Sequence, residues 1–304
     1  MNPRNLHFAM GPLAAVVRPS TRDIVVNPDG TVWHDSGNGL VRASMALPPA
    51  TVRHIASMLL ASAGRAVDDA HPLGEGSIDS GLRISAVLPP LVSPGPALSL
   101  RFHPPDRVGW GGFVDQTGDP IEPRLRGIVS AGTSVLITGA TGAGKTTLAS
   151  LMLSAVPTNR RIIVIEDTAE LAPRHPHIVT LQTAQGNTEG AGVVGLAPLV
   201  RAALRMRPDW VVVGEVRGAE IIDLLSALTT GHAGIGTLHA QSFTELPARL
   251  LGLAALAALD ARTMAVMAAA AFPLVAHCER NGTGTTVRLA ALSAEDGQIR
   301  VDPI

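Results

Sequence analysis

The sequence predicts an α/β protein in two parts: a small α+β domain over residues 1–105, then a larger α/β domain with a mostly parallel sheet over 106–304. Three observations carry this. Apolar strand-like runs alternate with helix-like runs from residue 134 onward, as parallel sheets require. A glycine-rich run at 139–146 separates one such strand from one such helix. A seam crowded with proline, from Pro89-Pro90 through Pro94-Gly95-Pro96 to Pro104-Pro105, divides the two parts near residue 105.

In the first part, 23–26 and 31–33 flank Asn27-Pro28-Asp29-Gly30, a hairpin signature. Val52, Ile55, Ala56, Leu59 and Ala63 recur at helical spacing before Gly64. Residues 82–87 and 97–102 alternate as strands do, and each carries an arginine, Arg83 and Arg101. In the second part, strands are expected at 134–138, 161–166, 210–213 and 235–238, with helices at 145–155, 196–204 and 221–228. Ser242 and Glu245 have capping-box spacing before a Leu/Ala-rich helix. The tail reads as a hairpin, 274–280 and 285–292, around Asn281-Gly282.

Composition narrows the function classes. Hydrophobic residues make up 46% of 304 and charged residues 16%, as in a globular chain rather than a disordered one. A formal net charge of −1 and scarce aromatics argue against strong nucleic-acid binding and against base-stacking platforms. The single Cys278 excludes an internal disulfide and reads as a core filler. The N-terminus lacks the apolar region of a signal peptide, and the apolar stretch 250–276 is interrupted by Asp260 and Arg262. A soluble, cytosolic protein is expected.

The run Gly139-Ala140-Thr141-Gly142-Ala143-Gly144-Lys145-Thr146, with Thr147 after it, has Walker A spacing. Its glycines let backbone N–H groups turn toward phosphate oxygens, Lys145 reaches the β- and γ-phosphates, and the Thr146 hydroxyl suits Mg²⁺. The helix behind it adds a positive N-terminal end. ATP and Mg²⁺ are therefore the expected ligands. Hydrolysis also needs a group that positions water. Glu215 emerges from the strand 210–213, and Glu166 and Asp167 leave the strand 161–166, where open α/β sheets place ligands. A carboxylate at such a place can also simply cap the next helix. His232 and His239 bracket a glycine-rich strand and could equally be core residues.

Taken in order, Walker A, the segment 165–171 (Ile-Glu-Asp-Thr-Ala-Glu-Leu), the segment 204–220 ending in Gly214-Glu215 and onward, and the segment 231–240 resemble the four motifs of the secretion ATPase superfamily of type II secretion, type IV pili and type IV secretion. Leu204-Arg205-Met206-Arg207-Pro208-Asp209 and Leu246-Pro247-Ala248-Arg249-Leu250 are most similar to its tight-adherence (Tad/Flp) pilus and conjugation-associated branch. The resemblance implies a RecA-like ATPase domain, a homohexameric ring, and ATP held between the two domains. It implies Glu215 as the Walker B glutamate, Glu166 and Asp167 at the metal or water, His239 near the γ-phosphate, and Arg83 and Arg101 as phosphate-contacting arginines. Two positions depart from the pattern: Ala184 stands where the family usually carries arginine, and the histidine segment is one residue shorter than in many relatives.

The function this implies is an ATP-hydrolysing motor at the inner face of the cytoplasmic membrane, driving pilus assembly or secretion through inner-membrane platform proteins. A DNA-translocating conjugative motor and a weakly hydrolysing assembly scaffold are the alternatives.

Overall fold

The computed structural model describes residues 3–37, 39–78, 81–102, 109–184, 192–282 and 284–304, with only the backbone for 3–5. The chain divides into two compact units, Met1–Arg107 and Val108–Ile304. The proline seam ends at 103–108, outside the described residues.

The first unit is a six-stranded antiparallel sheet. Its strands are β1 (Asp23–Val26), β2 (Thr31–Asp35), β3 (Leu40–Ala46), β4 (Leu73–Ile78), β5 (Leu82–Val87) and β6 (Ala97–Phe102), in the order β3-β2-β1-β6-β5-β4. The alternation in β5 is real: Leu82, Ile84 and Ala86 are buried while Arg83, Ser85 and Val87 are not. The buried face packs under α2 (Pro49–Ser62), through Val52, Ile55, Leu59 and Leu60, and α1 (Pro3–Met10) adds Met10. The expected hairpin closes as a turn, with the Gly30 N–H donating to the Asn27 carbonyl.

The second unit contains β7 (Phe113–Val114), α3 (Glu122–Ser130), β8 (Val135–Gly139), α4 (Lys145–Ser154), β9 (Ile162–Glu166), β10 (Ile178–Gln182), α5 (Leu196–Ala203), β11 (Trp210–Val213), α6 (Glu220–Thr229), β12 (Ala233–His239), α7 (Leu246–Leu256), α8 (Ala261–Ala271), β13 (Leu274–Asn281), β14 (Gly284–Glu295) and β15 (Gln298–Pro303). The sheet runs β10-β9-β11-β12-β8-β13-β14-β15, parallel as far as β13 and antiparallel beyond it, with β7 against β14. This is a RecA-like arrangement.

Helices cover both faces of the parallel part. Ile163, Ile165, Val211 and Val213 pack with α5 to α8, whereas Ile162, Val164 and Val212 pack with α3 and α4. Every residue of β9 and β11 is buried, which is why these strands read as continuous apolar runs. Each fully buried Ile or Val contributes roughly 1.5–3 kcal/mol over exposure. The tail hairpin forms as expected, but β13 also pairs with β8 and so joins the central sheet. The capping box is half made. Ser242 Oγ accepts from the Glu245 N–H, while the Glu245 carboxylate takes the Gln241 N–H and α7 starts at Leu246. Among the described residues, no single helix is long and apolar enough to cross a membrane.

Candidate nucleotide site

The carboxyl ends of β9, β11, β12 and β8 lie side by side, and the candidate residues of the second unit gather there. Register brings His239 opposite Gly139, Leu238 opposite Thr138, and Val213 opposite Ile165. The loop after β8 turns through Gly139 and Gly144, at φ of +147° and +100°. At Gly139 a Cβ would come within 2.5 Å of the Cys278 carbonyl oxygen, so only glycine lets β13 approach the root of the loop.

No side chain caps α4, leaving its first-turn N–H groups open to an anion. Lys145 Nζ donates to the carbonyls of Gly139 (2.8 Å) and Ala140 (2.9 Å), so the ammonium lies across the mouth of the loop. Burial lowers its pKa, opposed first by the charge of Glu215. Thr146 and Thr147 follow on the same turn, half-buried.

Two carboxylates of unlike character lie at the ends of the neighbouring strands β9 and β11. Glu166, the last residue of β9, is 3% exposed. Its Oε1 accepts from the N–H groups of Glu170 (3.1 Å) and Leu171 (3.0 Å), while Oε2 has no partner. Burial outweighs those two bonds and pushes its pKa up to about 7. Gly214 makes room for it, since a Cβ there would lie 2.7 Å from Glu166 Cγ. Glu215 is more exposed and is ion-paired with Arg217. Arg217 also feels Asp167 and Glu170, and its pKa is raised, first by its hydrogen bond with Glu215. Asp167 is exposed, and its carbonyl accepts from Gln182 Nε2 and Thr183 Oγ1.

The loop behind Glu166 is tied to the helix behind the phosphate loop. Ser150 Oγ accepts from Ala172 N–H and Ser154 Oγ from Arg174 N–H. Thr237 of β12 donates to the Gly214 carbonyl, linking the histidine strand to the turn before Glu215.

The structure thus brings Lys145, Thr146, Glu166, Asp167, Glu215 and His239 to one sheet edge. His232 is not among them; it precedes β12, and its Nδ1 is 2.9 Å from the Ala227 carbonyl. Arg83 and Arg101 belong to the first unit, where they are direct cross-strand partners on one face. Arg101 is paired with Asp23 at 2.8 Å. Two like charges directly opposite are unfavourable unless an anion or carboxylate serves them. Ala184 bridges to Val194, and the segment 187–190 read beside it lies outside the described residues. Sequence reasoning missed Arg217 and Glu170; their signal was position, two residues after Glu215 and four after Glu166.

A family model described as "Type II/IV secretion system protein" matches residues 55–299. The chain belongs to that family. Within it, a putative conjugal transfer protein of Mycobacterium tuberculosis is 42% identical over 295 residues, covering 92% of this chain and 83% of the relative. The conjugal transfer protein TrbB of Rhizobium radiobacter is 32% identical over 274 residues, 88% and 81% of the two chains. The type IV secretion system protein PtlH of Bordetella pertussis is 34% identical over 258 residues, 74% of each. Among solved structures, the pilus retraction motor PilT with bound ADP aligns at a TM-score of 0.64 and 18% identity, over 93% of this chain and 81% of that one. The Legionella pneumophila ATPase DotB aligns at 0.59 and 18%, over 91% and 78%. These two likenesses concern the fold of this secretion-family chain.

Proposed function

We propose that this chain is the ATP-hydrolysing motor subunit of a pilus-assembly or secretion machine. The observation that carries the reading is Lys145 in its phosphate loop, electrostatically coupled to Glu215, with Glu166 ending β9, the strand beside β11. The loop and the uncapped start of α4 bind the phosphates of ATP. Mg²⁺, held by the Thr146 hydroxyl with Asp167 nearby, would neutralise developing charge on the phosphate oxygens. Glu215 orients and polarises the attacking water. Glu166, with a pKa near 7, can hold or give up a proton beside it. The resemblance gives His239 a place at the γ-phosphate side and gives Arg83 and Arg101 the role of phosphate-contacting arginines.

The resemblance supports a homohexamer working at the cytoplasmic face of the inner membrane on platform proteins, in a Tad/Flp-type pilus. A DNA-moving role is the second reading, favoured by relatives that carry the name of conjugal transfer.

Lys145→Ala tests the core of this. Removing a charge that pairs with desolvated phosphates should abolish both ATP binding and turnover while the melting temperature holds. Unchanged turnover in the purified variant overturns the assignment. Duplex binding with a steep salt dependence would move the reading to DNA.

A further inference from the structure

His277 lies in an apolar strand and looks, by its neighbours, like core. Its ring is 1% exposed, in β13, directly opposite Thr138 of β8. Nδ1 is hydrogen-bonded to Thr138 Oγ1 at 2.9 Å, one residue before the phosphate loop begins. Nε2, equally buried, has no hydrogen bond. A buried polar atom costs about 1–3 kcal/mol unless its surroundings offer it a partner.

What surrounds that nitrogen points to one. A cavity of about 310 Å³ opens beside it, lined on one side by Ala140, Thr141 and Ala143 and on the other by Gln241, His277 and Glu279. The ring also tilts against Phe243, with centroids 5.3 Å apart. Gln241 and Phe243 belong to the segment that follows His239. The Gln241 main chain favours an N–H on the ring, and Glu279 Oε1 stands 3.6 Å from Nε2. Burial lowers the pKa of the ring, with Glu279 opposing and Arg288 and Lys145 adding to the effect. The imidazole thus has one nitrogen committed to the phosphate-loop strand and its other side turned to the segment after His239.

We propose that His277 is a positioning residue that couples the phosphate loop to the loop after His239. Nδ1 holds Thr138 and with it the root of the phosphate loop; the rest of the ring holds the 240–243 segment, through its tilted contact with Phe243 and the Gln241 main chain. The two loops then move together rather than independently. This role rests on the nucleotide-site reading for its catalytic consequence, but the coupling itself is a property of the chain and is measurable without turnover.

The test is hydrogen exchange on the full-length protein as wild type, His277→Ala and His277→Gln, with α5 as an internal reference. The glutamine amide keeps a donor and an acceptor. In His277→Ala, amides of 138–144 and of 240–245 should both exchange about tenfold faster, while α5 is unchanged. His277→Gln should recover most of the protection in both. Faster exchange at 138–144 alone, or equal loss in Ala and Gln, would overturn the coupling and leave His277 a packing residue. ATPase assays supply the second readout. Misplacing the loops should lower kcat about tenfold or more with little change in KM, and Gln should restore it. If the wild type does not hydrolyse ATP, the motor reading fails, and the exchange result still decides the coupling.

Discussion

The two sheets handle charge in opposite ways. In the first unit, β5 and β6 alternate buried and less buried residues, so Arg83 and Arg101 sit within their strands on a face that is not buried. In the second unit, β9 and β11 are buried throughout, and charged side chains appear only where the strands end. An antiparallel sheet with one packed face can place cations anywhere along a strand, while a sheet covered on both faces drives its chemistry to the carboxyl edge. The lesson is that a charged residue must be read against the kind of sheet that holds it. Charge within a strand is ordinary in the first unit and would be costly in β9 and β11 of the second.

The largest effect that separates the two behaviours is expected from the arginine pair. If the Arg83 and Arg101 face is simply solvated, its ion pair is worth about 0–1 kcal/mol and removal barely registers. If it serves a phosphate, Arg83→Ala or Arg101→Ala should cost on the order of 10³-fold in turnover, as arginine fingers do. Steady-state ATPase rates beside thermal melts distinguish the two; normal rates in both variants make the face a surface.

Glu215→Gln comes next. The amide keeps the shape of the strand end and the contact with Arg217 but cannot act as a base. Turnover should fall by about 10²-fold or more while ADP binding persists. Retained turnover would shift the role of base to Glu166.

The smallest effect is on stability and concerns the one carboxylate buried inside the edge. Glu166 has an ordinary value of 4.5 and a folded value of about 7. A carboxyl whose folded pKa is raised contributes fully while protonated in both states. Its contribution therefore declines as pH rises from about 4.5 through about 7, by up to roughly 3 kcal/mol. Urea unfolding between pH 5 and pH 8 should show wild type losing stability relative to Glu166→Gln over that window. Parallel pH slopes would mean that the carboxyl is ionised throughout.

What the sequence made legible follows from the same physics. The phosphate loop could be read because only glycine permits its backbone path, and β9 and β11 because double-sided burial leaves a continuous apolar run. The edge strands β3, β4 and β10 were not read. Half-exposed, and in β4 interrupted by Gly74 and Gly76, they lack both periodicities. Glu166 and Glu215 were both found at strand ends, yet their difference in burial depends on the approach of Gly214, which is a tertiary contact. His277 was hidden for the same reason. Its apolar neighbours mark it as buried, but only the long-range pairing of β13 with β8 sets it against Thr138.

Cys278, next along β13, has a practical consequence. Its thiol is 1% exposed, and burial pushes its pKa up to about 12. Thiolate, not thiol, reacts with maleimides and disulfides, so the native cysteine is silent while β13 stays paired with β8. Fluorophores can then be attached at cysteines introduced on each unit without first removing the natural one, and distance changes between the units can be followed as nucleotide is added. The same silence makes Cys278 a built-in clock: the rate at which it becomes labelled reports how often the strand beside the phosphate loop comes away from the sheet.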